Sequence, residues 1–129
     1  MILGIGTDIT EVARIRESIT RYGDRFLNRL YTEGERVYAS SRANSAECYA
    51  ARFAAKEAGM KAIGTGWRRG VTWKDFEVVN ELSGRPILVL AGVARKIAPG
   101  DPLVTKRPHR CLGVVGATVA DHEQFEIAE

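Results

Sequence analysis

The sequence predicts an α+β domain in which a small antiparallel sheet packs on one long central helix, with shorter helices near the N-terminus. Three observations carry this prediction. Residues 44–64 form an alanine-rich segment bounded by a candidate N-cap and a glycine. Apolar residues recur at helical spacing before Gly66 and alternate after it. At 129 residues the chain is the size of one domain, long enough to bury a core and too short for two.

The central helix is read first. Asn44 is its candidate N-cap, and Glu47 three residues on gives a capping-box-like start. Ala, Met, Lys and Glu carry it at little propensity cost. Gly64 ends it, as a residue that tolerates left-handed backbone. Phe53, Glu57 and Lys61 fall at i, i+4 and i+8, so one face carries an aromatic, an acid and a base. The alanines at 50, 51, 54, 55 and 58 are small enough for other backbones to approach closely. The plain reading is a packed helix with one Glu57–Lys61 ion pair, worth roughly 0.2–0.5 kcal/mol.

The other elements follow in chain order. Residues 2–7 read as a strand, with Ile2, Gly4 and Gly6 on one face and Leu3, Ile5 and Thr7 on the other. Two glycines on one face imply a neighbour packed very close. Asp8 then stands at the strand's end, as a ligand or, with Glu11, as a capping box for the next helix. Over 10–22 the pattern is helical, with Ile9, Val12, Ile15, Ile19 and Tyr22 on one apolar face. Gly23 breaks it, 25–30 makes a short helical turn, and Thr32 with Glu35 forms a capping box for a helix over 33–40.

After Gly66, Val71, Trp73, Phe76, Val78 and Val79 make a strand region. Ser83-Gly84-Arg85-Pro86 makes a turn, and residues 86–90 return as the second strand of a hairpin. Residues 92–98 read as a short helix, ended by Pro99-Gly100-Asp101-Pro102. Residues 103–109 and 111–120 read as a closing antiparallel pair, kept small by Gly113, Gly116 and Ala117.

Composition narrows the function classes. Hydrophobic residues at 45% and charged residues at 27% are ordinary for a soluble globular domain. No apolar run approaches the roughly 20 residues of a membrane span. The N-terminus lacks a basic n-region, so no signal peptide is expected. Cys48 and Cys111 form no CxxC and both histidines lie far from them, which argues against zinc; unpaired thiols suit a reducing cytoplasm. The net charge of +3 is concentrated early, with Arg14, Arg16, Arg21, Arg25 and Arg29 in one segment. That cluster is either a solvated helix face or a surface for an acidic partner: nucleic acid, a phosphate ligand or an acidic protein. Arg14 and Arg21 lie seven apart and Arg25 four later, which allows one basic stripe.

The candidates for chemistry are Asp8, Glu57, Lys61, the Gly64-Thr65-Gly66 loop and the Arg85 turn. Two acids and a lysine beside a glycine loop suit Mg²⁺ and a polyphosphate. Magnesium takes one or two carboxylates and leaves positions for phosphate oxygens. Glycines let backbone N–H groups approach phosphate without a clashing Cβ.

In these motifs the sequence resembles the holo-acyl-carrier-protein synthases, the short 4′-phosphopantetheinyl transferases. The resemblance rests on Gly4-Ile-Gly-Thr-Asp8-Ile, Arg52-Phe-Ala-Ala-Lys56-Glu57-Ala-Gly-Met-Lys61-Ala, Gly64-Thr-Gly66 and Gly84-Arg-Pro86, in order and over nearly the whole chain. It implies the phosphopantetheinyl transferase fold as one domain over residues 1–129. It also implies transfer of the 4′-phosphopantetheine arm of coenzyme A (CoA) to a serine of an acyl carrier protein, in fatty-acid biosynthesis. By the same resemblance Asp8 and Glu57 would bind Mg²⁺, and Lys61 would place charge at the phosphate. Glu57 or a metal-bound water would take the serine proton. Arg52, Lys61, Gly64, Thr65, Gly66, Gly84, Arg85, Pro86 and His109 would hold CoA. Arg14, Arg21 and Arg25 would meet the carrier protein.

The family's usual ending has a Ser-His pair. Here Pro108 stands in the serine's place before His109, and Lys106 and Arg107 are further candidates for phosphate contacts. Larger relatives carry two copies of the fold, with the site between them. This single copy implies a homotrimer with sites at subunit interfaces. A cytoplasmic enzyme without membrane or nucleic-acid partners is the expectation. Two alternatives stand beside it: a small basic nucleic-acid-binding domain using Trp67 and Trp73, and an inactive paralogue of the same fold.

Overall fold

A computed structural model of the chain describes residues 5–66, 68–97, 115–121 and 124–127, the last two segments as backbone. The elements run β1 (Gly6–Glu11), α1 (Val12–Tyr22), α2 (Asp24–Leu30), α3 (Glu33–Ser40), α4 (Ser45–Ala62), β2 (Phe76–Asn80), β3 (Pro86–Leu90), α5 (Gly92–Ile97), β4 (Val115–Asp121) and β5 (Gln124–Ile127), with a single 3₁₀ turn at Trp73–Asp75. Among the described residues this is the α+β arrangement expected.

Helix α4 lies between two small sheets, and one glycine on each side sets the spacing. On one side, a Cβ on Gly6 of β1 would fall 1.8 Å from the Ala58 carbonyl oxygen, so strand backbone touches helix backbone. On the other, a Cβ on Gly59 would meet the Leu88 side chain at 2.6 Å and the Phe76 ring at 2.9 Å. The helix is buried nearly all round, through Tyr49, Ala50, Ala54, Ala58 and Met60 and also the charged Arg52 and Lys56. Small residues on both faces let the sheets close on it.

Strand β1 pairs in parallel with β4, with Asp8 opposite Ala117, and β4 pairs antiparallel with β5. The hairpin β2–β3 runs antiparallel, with Val78 opposite Leu88. The expected partner strand at 103–109 lies outside the described residues, as do Gly4, Pro99–Pro102 and Gly113. Strand β5 has no counterpart in the sequence reading.

Several boundaries differ from expectation. The first strand continues to Glu11, so Asp8 sits within it rather than at its end. Ile9 therefore belongs to the strand's outer face and is 70% exposed, not part of the helix's apolar stripe. The ladder to β4, far away in sequence, extends the strand beyond the point where local pattern ends it. The Asp8–Glu11 capping box is absent: Glu11 itself occupies the N-cap of α1 without a side-chain cap bond. Of the predicted stripe, Val12 and Ile15 are buried, Ile19 is partly buried and Tyr22 is exposed.

Val71 and Trp73 precede β2 rather than joining it, because the chain turns through Thr72, whose hydroxyl bonds Asp75 (3.1 Å). The capping box of α3 is as expected. Glu35 N–H donates to Thr32 Oγ1 (3.3 Å), and Thr32 N–H donates to Glu35 Oε2 (2.9 Å). At α4, Asn44 spends its amide on the Glu47 carboxylate (3.0 Å) and leaves the helix start without a side-chain cap on the backbone. Gly64 follows α4 at φ 71°, the left-handed conformation its role requires.

Candidate active site

The close approach of β1 to α4 brings the first two candidate acids together. Side chains alternate along a strand, so Asp8 shares the face of Gly6, which lies on Ala58. Lys61, one turn beyond Glu57, reaches back across this seam. Its Nζ donates to Asp8 Oδ1 (2.7 Å) and to the Thr7 carbonyl (3.0 Å). Asp8 Oδ2 accepts from the Thr10 hydroxyl (3.1 Å). The intrahelical Glu57–Lys61 ion pair expected from i, i+4 spacing is replaced by this longer-range one. The strand supplies an acceptor carbonyl and a carboxylate at one place, whereas Glu57 supplies a carboxylate alone.

The electrostatics show that the two acids share a neighbourhood. Partial burial, and then the charge of Asp8, raise the Glu57 carboxyl above its ordinary value, while Lys61 pulls the other way. The hydrogen bond to Asp8 and the charges of both acids raise Lys61, against a smaller opposing effect of desolvation. Two like charges with one ammonium between strand and helix form a site that favours added positive charge. Among the described residues no group of three or more His, Cys, Asp or Glu forms a metal cage. Two carboxylates with open positions fit the donor set of Mg²⁺, which keeps waters and phosphate oxygens.

The glycine loop lies directly beyond Lys61. The Gly64 N–H donates to the Lys61 carbonyl (3.1 Å), and Gly64 and Gly66 both have positive φ, 71° and 53°. Thr65 between them is buried, and its carbonyl accepts from the Arg68 N–H (3.2 Å). Asp8, Glu57, Lys61 and this loop thus form one group at the C-terminal end of α4.

A second group lies near the middle of the helix, toward the β2–β3 hairpin. Arg52 is buried, its guanidinium 4.2 Å from the Tyr38 ring centroid, and it donates to Asn80 Oδ1 (3.0 Å). Asn80 in turn donates to the Gly84 carbonyl (3.0 Å), which ties Arg52 to the Gly84-Arg85-Pro86 turn. Gly84 there has φ 87°, and Arg85 is exposed. Arg52 and Lys61 are nine residues apart, roughly 13 Å along the axis. Within one chain the expected CoA-binding residues therefore fall into two clusters. His109, Lys106 and Arg107 lie outside the described residues.

Arg14 and Arg21 are exposed on α1 and Arg25 on α2. Gly23, at φ 53°, separates the two helices, so the stripe bends between Arg21 and Arg25. Trp73, one of the aromatics on which the nucleic-acid alternative rested, is buried and stacked on Phe53 with centroids 4.9 Å apart. It offers no face to a base.

Sequence reasoning gave Lys56 no role and gave Glu35 only its place in the α3 capping box. Lys56 is wholly buried and pairs with Glu35 at 2.6 Å. The available signal was a lysine lying off the Phe53–Glu57–Lys61 face of an alanine-rich helix.

Comparisons with known proteins place the chain in a family. A model of the 4′-phosphopantetheinyl transferase superfamily matches residues 4–104. The chain is 62% identical over 98 residues to a holo-[acyl-carrier-protein] synthase of Solibacter usitatus, covering 76% of this chain and 78% of that protein. It is 54% identical over 128 residues to that of Koribacter versatilis, covering 99% and 95%. A solved holo-(acyl-carrier-protein) synthase from Bacillus anthracis, in complex with CoA (3′,5′-ADP), superposes at TM-score 0.63 and 44% identity. It covers 71% of this chain and 78% of that one. The matched span includes both acids, Lys61 and the glycine loop, and the chain belongs to the 4′-phosphopantetheinyl transferase superfamily.

Proposed function

We propose that this chain is a holo-acyl-carrier-protein synthase, acting as a single domain over residues 1–129. It moves the 4′-phosphopantetheine arm of CoA onto a serine hydroxyl of an acyl carrier protein and releases 3′,5′-ADP. The observation that carries this reading is the convergence of Asp8, Glu57 and Lys61 across the β1–α4 seam, beside the Gly64–Gly66 loop. The relatives' names and the CoA-bound neighbour support the substrate pair.

Asp8 and Glu57 hold Mg²⁺ in this reading, and the ion when bound neutralises charge on the CoA pyrophosphate. Lys61 adds a second positive charge at the phosphate from its place one turn beyond Glu57. The glycine loop offers backbone N–H groups to phosphate oxygens. Glu57 takes the serine proton. The serine oxygen bonds to the phosphorus of the pantetheine arm, and the P–O bond to 3′,5′-ADP breaks, its electron pair leaving with the ADP. Such phosphoryl transfer is mostly positioning and charge stabilisation.

Arg52, Gly84, Arg85, Pro86 and His109 contact CoA from a second chain. The two-cluster arrangement supports a homotrimer with interfacial sites, because one chain holds these residues as two separate clusters along α4. Arg14, Arg21 and Arg25 steer the acidic carrier protein, acting on encounter and orientation more than on affinity. Among the described residues no helix is long and apolar enough to cross a membrane. A cytoplasmic role in fatty-acid synthesis completes the reading.

Incubation with CoA, Mg²⁺ and an apo acyl carrier protein tests it. A mass gain of one phosphopantetheine on the carrier is expected. No gain with several carriers would favour the inactive paralogue.

A further inference from the structure

The deepest charge on α4 has no part in the transfer chemistry. Lys56 Nζ donates to the Leu30 carbonyl (2.8 Å), the Trp73 carbonyl (3.1 Å) and Glu35 Oε2 (2.6 Å), which uses all three of its N–H groups. Glu35 is equally committed. Its Oε2 also accepts from the Thr32 N–H, and its Oε1 accepts from the Val78 N–H (2.9 Å). One ion pair therefore joins α4 to the end of α2, the start of α3, strand β2 and the 3₁₀ turn.

Close packing at Gly6 and Gly59 sets how near the sheets come to α4. The buried alanines at 50, 54, 58 and 62 form one stripe of small side chains with no directional contact of their own. The Lys56 bonds add a fixed direction to that packing. A slip of one residue turns the helix by about 100° and breaks all three ammonium bonds. Even a 20° rotation moves a side-chain tip about 5 Å from the axis by roughly 2 Å. Lys56 immediately precedes Glu57 in the chain, so whatever fixes one fixes the other.

We propose that the Lys56–Glu35 pair is a positioning device that indexes α4 in rotation and so holds the Glu57 carboxylate opposite Asp8. The same ammonium grips the last carbonyl of α2, so the helix bearing Arg25 and the helix bearing Glu57 share one anchor. The inference rests on the transferase reading for its kinetic consequence, but its geometric content is independent of that reading.

The test compares wild type, Lys56→Arg, and the double variant Lys56→Met/Glu35→Gln, which leaves no buried charge unpaired. Four quantities are measured: thermal melting, steady-state kinetics, Mn²⁺ binding by electron paramagnetic resonance without substrates, and a crystal structure. The double variant is expected to fold, with kcat lowered at least about tenfold and Mn²⁺ affinity lowered about tenfold. KM for CoA and carrier should stay within about twofold, because misplacement by about 1 Å chiefly costs turnover. Lys56→Arg keeps the charge with different donor geometry and should fall between the two.

In the crystal, α4 of the double variant should be turned relative to β1, with the Lys61–Asp8 bond lost. A folded double variant with wild-type kcat, wild-type Mn²⁺ affinity and α4 unmoved would overturn the proposal and leave the pair a stability element. If wild type transfers nothing, the transferase reading fails, and the position of α4 in the variant still decides this inference.

Discussion

Helix α4 carries two lysine–carboxylate pairs five residues apart, with nearly the same separation: 2.6 Å for Lys56–Glu35 and 2.7 Å for Lys61–Asp8. Their surroundings make them different objects. Neither side chain of the first pair exposes any surface, whereas Lys61 is 52% exposed and Asp8 16%. The basicities move in opposite directions for that reason. Burial pulls Lys56 down, partly offset by Glu35, while the hydrogen bond to Asp8 pushes Lys61 up. The buried pair is saturated with partners, and breaking it strands a charge without water. The open pair can exchange its ammonium for another cation at little cost, since water competes for it already. A short ion-pair distance thus says little about role until solvent access and spare coordination are known.

The strongest way to break this comparison is Glu57→Gln, beside the open pair. It should lower kcat by at least about 10²-fold, as expected for loss of a metal or proton-transfer group. The melting midpoint should hardly change. Near-normal turnover in that variant would remove the open site from the chemistry. The next effect is Gly6→Ala, which attacks the seam on which the open pair depends. Its Cβ has no room against the Ala58 carbonyl and the Ala62 N–H at 2.7 Å. A backbone neighbour cannot swing aside, so β1 must lift off α4. About 1–3 kcal/mol of stability should be lost, read by chemical denaturation. Turnover should fall as well, because Asp8 moves with the strand; a variant as stable and active as wild type would show the seam to be looser than drawn.

A smaller effect is expected outside both pairs. Arg14→Ala should raise the KM for carrier protein several-fold, leave kcat nearly unchanged, and weaken the dependence of rate on salt. An unchanged KM across ionic strengths would mean that the carrier docks elsewhere.

How much of this was legible depends on how local each signal is. The capping box at Thr32 and Glu35, the hairpin closing at Pro86 and the left-handed Gly64 are written within four residues each, and all stand as expected. The site acids were legible as a motif: a glycine-bearing strand, then a helix with Glu57 and Lys61 one turn apart. Partners from distant parts of the chain were not legible. Asp8 sits mid-strand because β4, over a hundred residues on, extends the ladder. Lys61 prefers Asp8 to the nearer Glu57 because Thr7 offers it a carbonyl as well. Lys56 looked like a routine helix lysine, since its three acceptors come from residues 30, 35 and 73.

The finest distinction between the pairs lies in how stability responds to pH. Partial burial and the Asp8 charge raise the Glu57 carboxyl in the folded protein above its ordinary value. The folded state therefore binds a proton there more readily than the unfolded chain. Below the ordinary carboxylate range Glu57 is protonated in both states and costs nothing. As pH rises through the ordinary carboxylate range the unfolded chain ionises first and the cost begins to build, and it is fully present once pH has passed the raised folded value. Without divalent cation, Glu57→Gln should then melt slightly higher than wild type at neutral pH, and the difference should vanish on acidification. Millimolar Mg²⁺ should reverse the order, because the ion stabilises only the protein that binds it. A difference independent of both pH and Mg²⁺ would mean that Glu57 and Asp8 do not share a charge environment, and the contrast with the saturated pair would lose its physical basis.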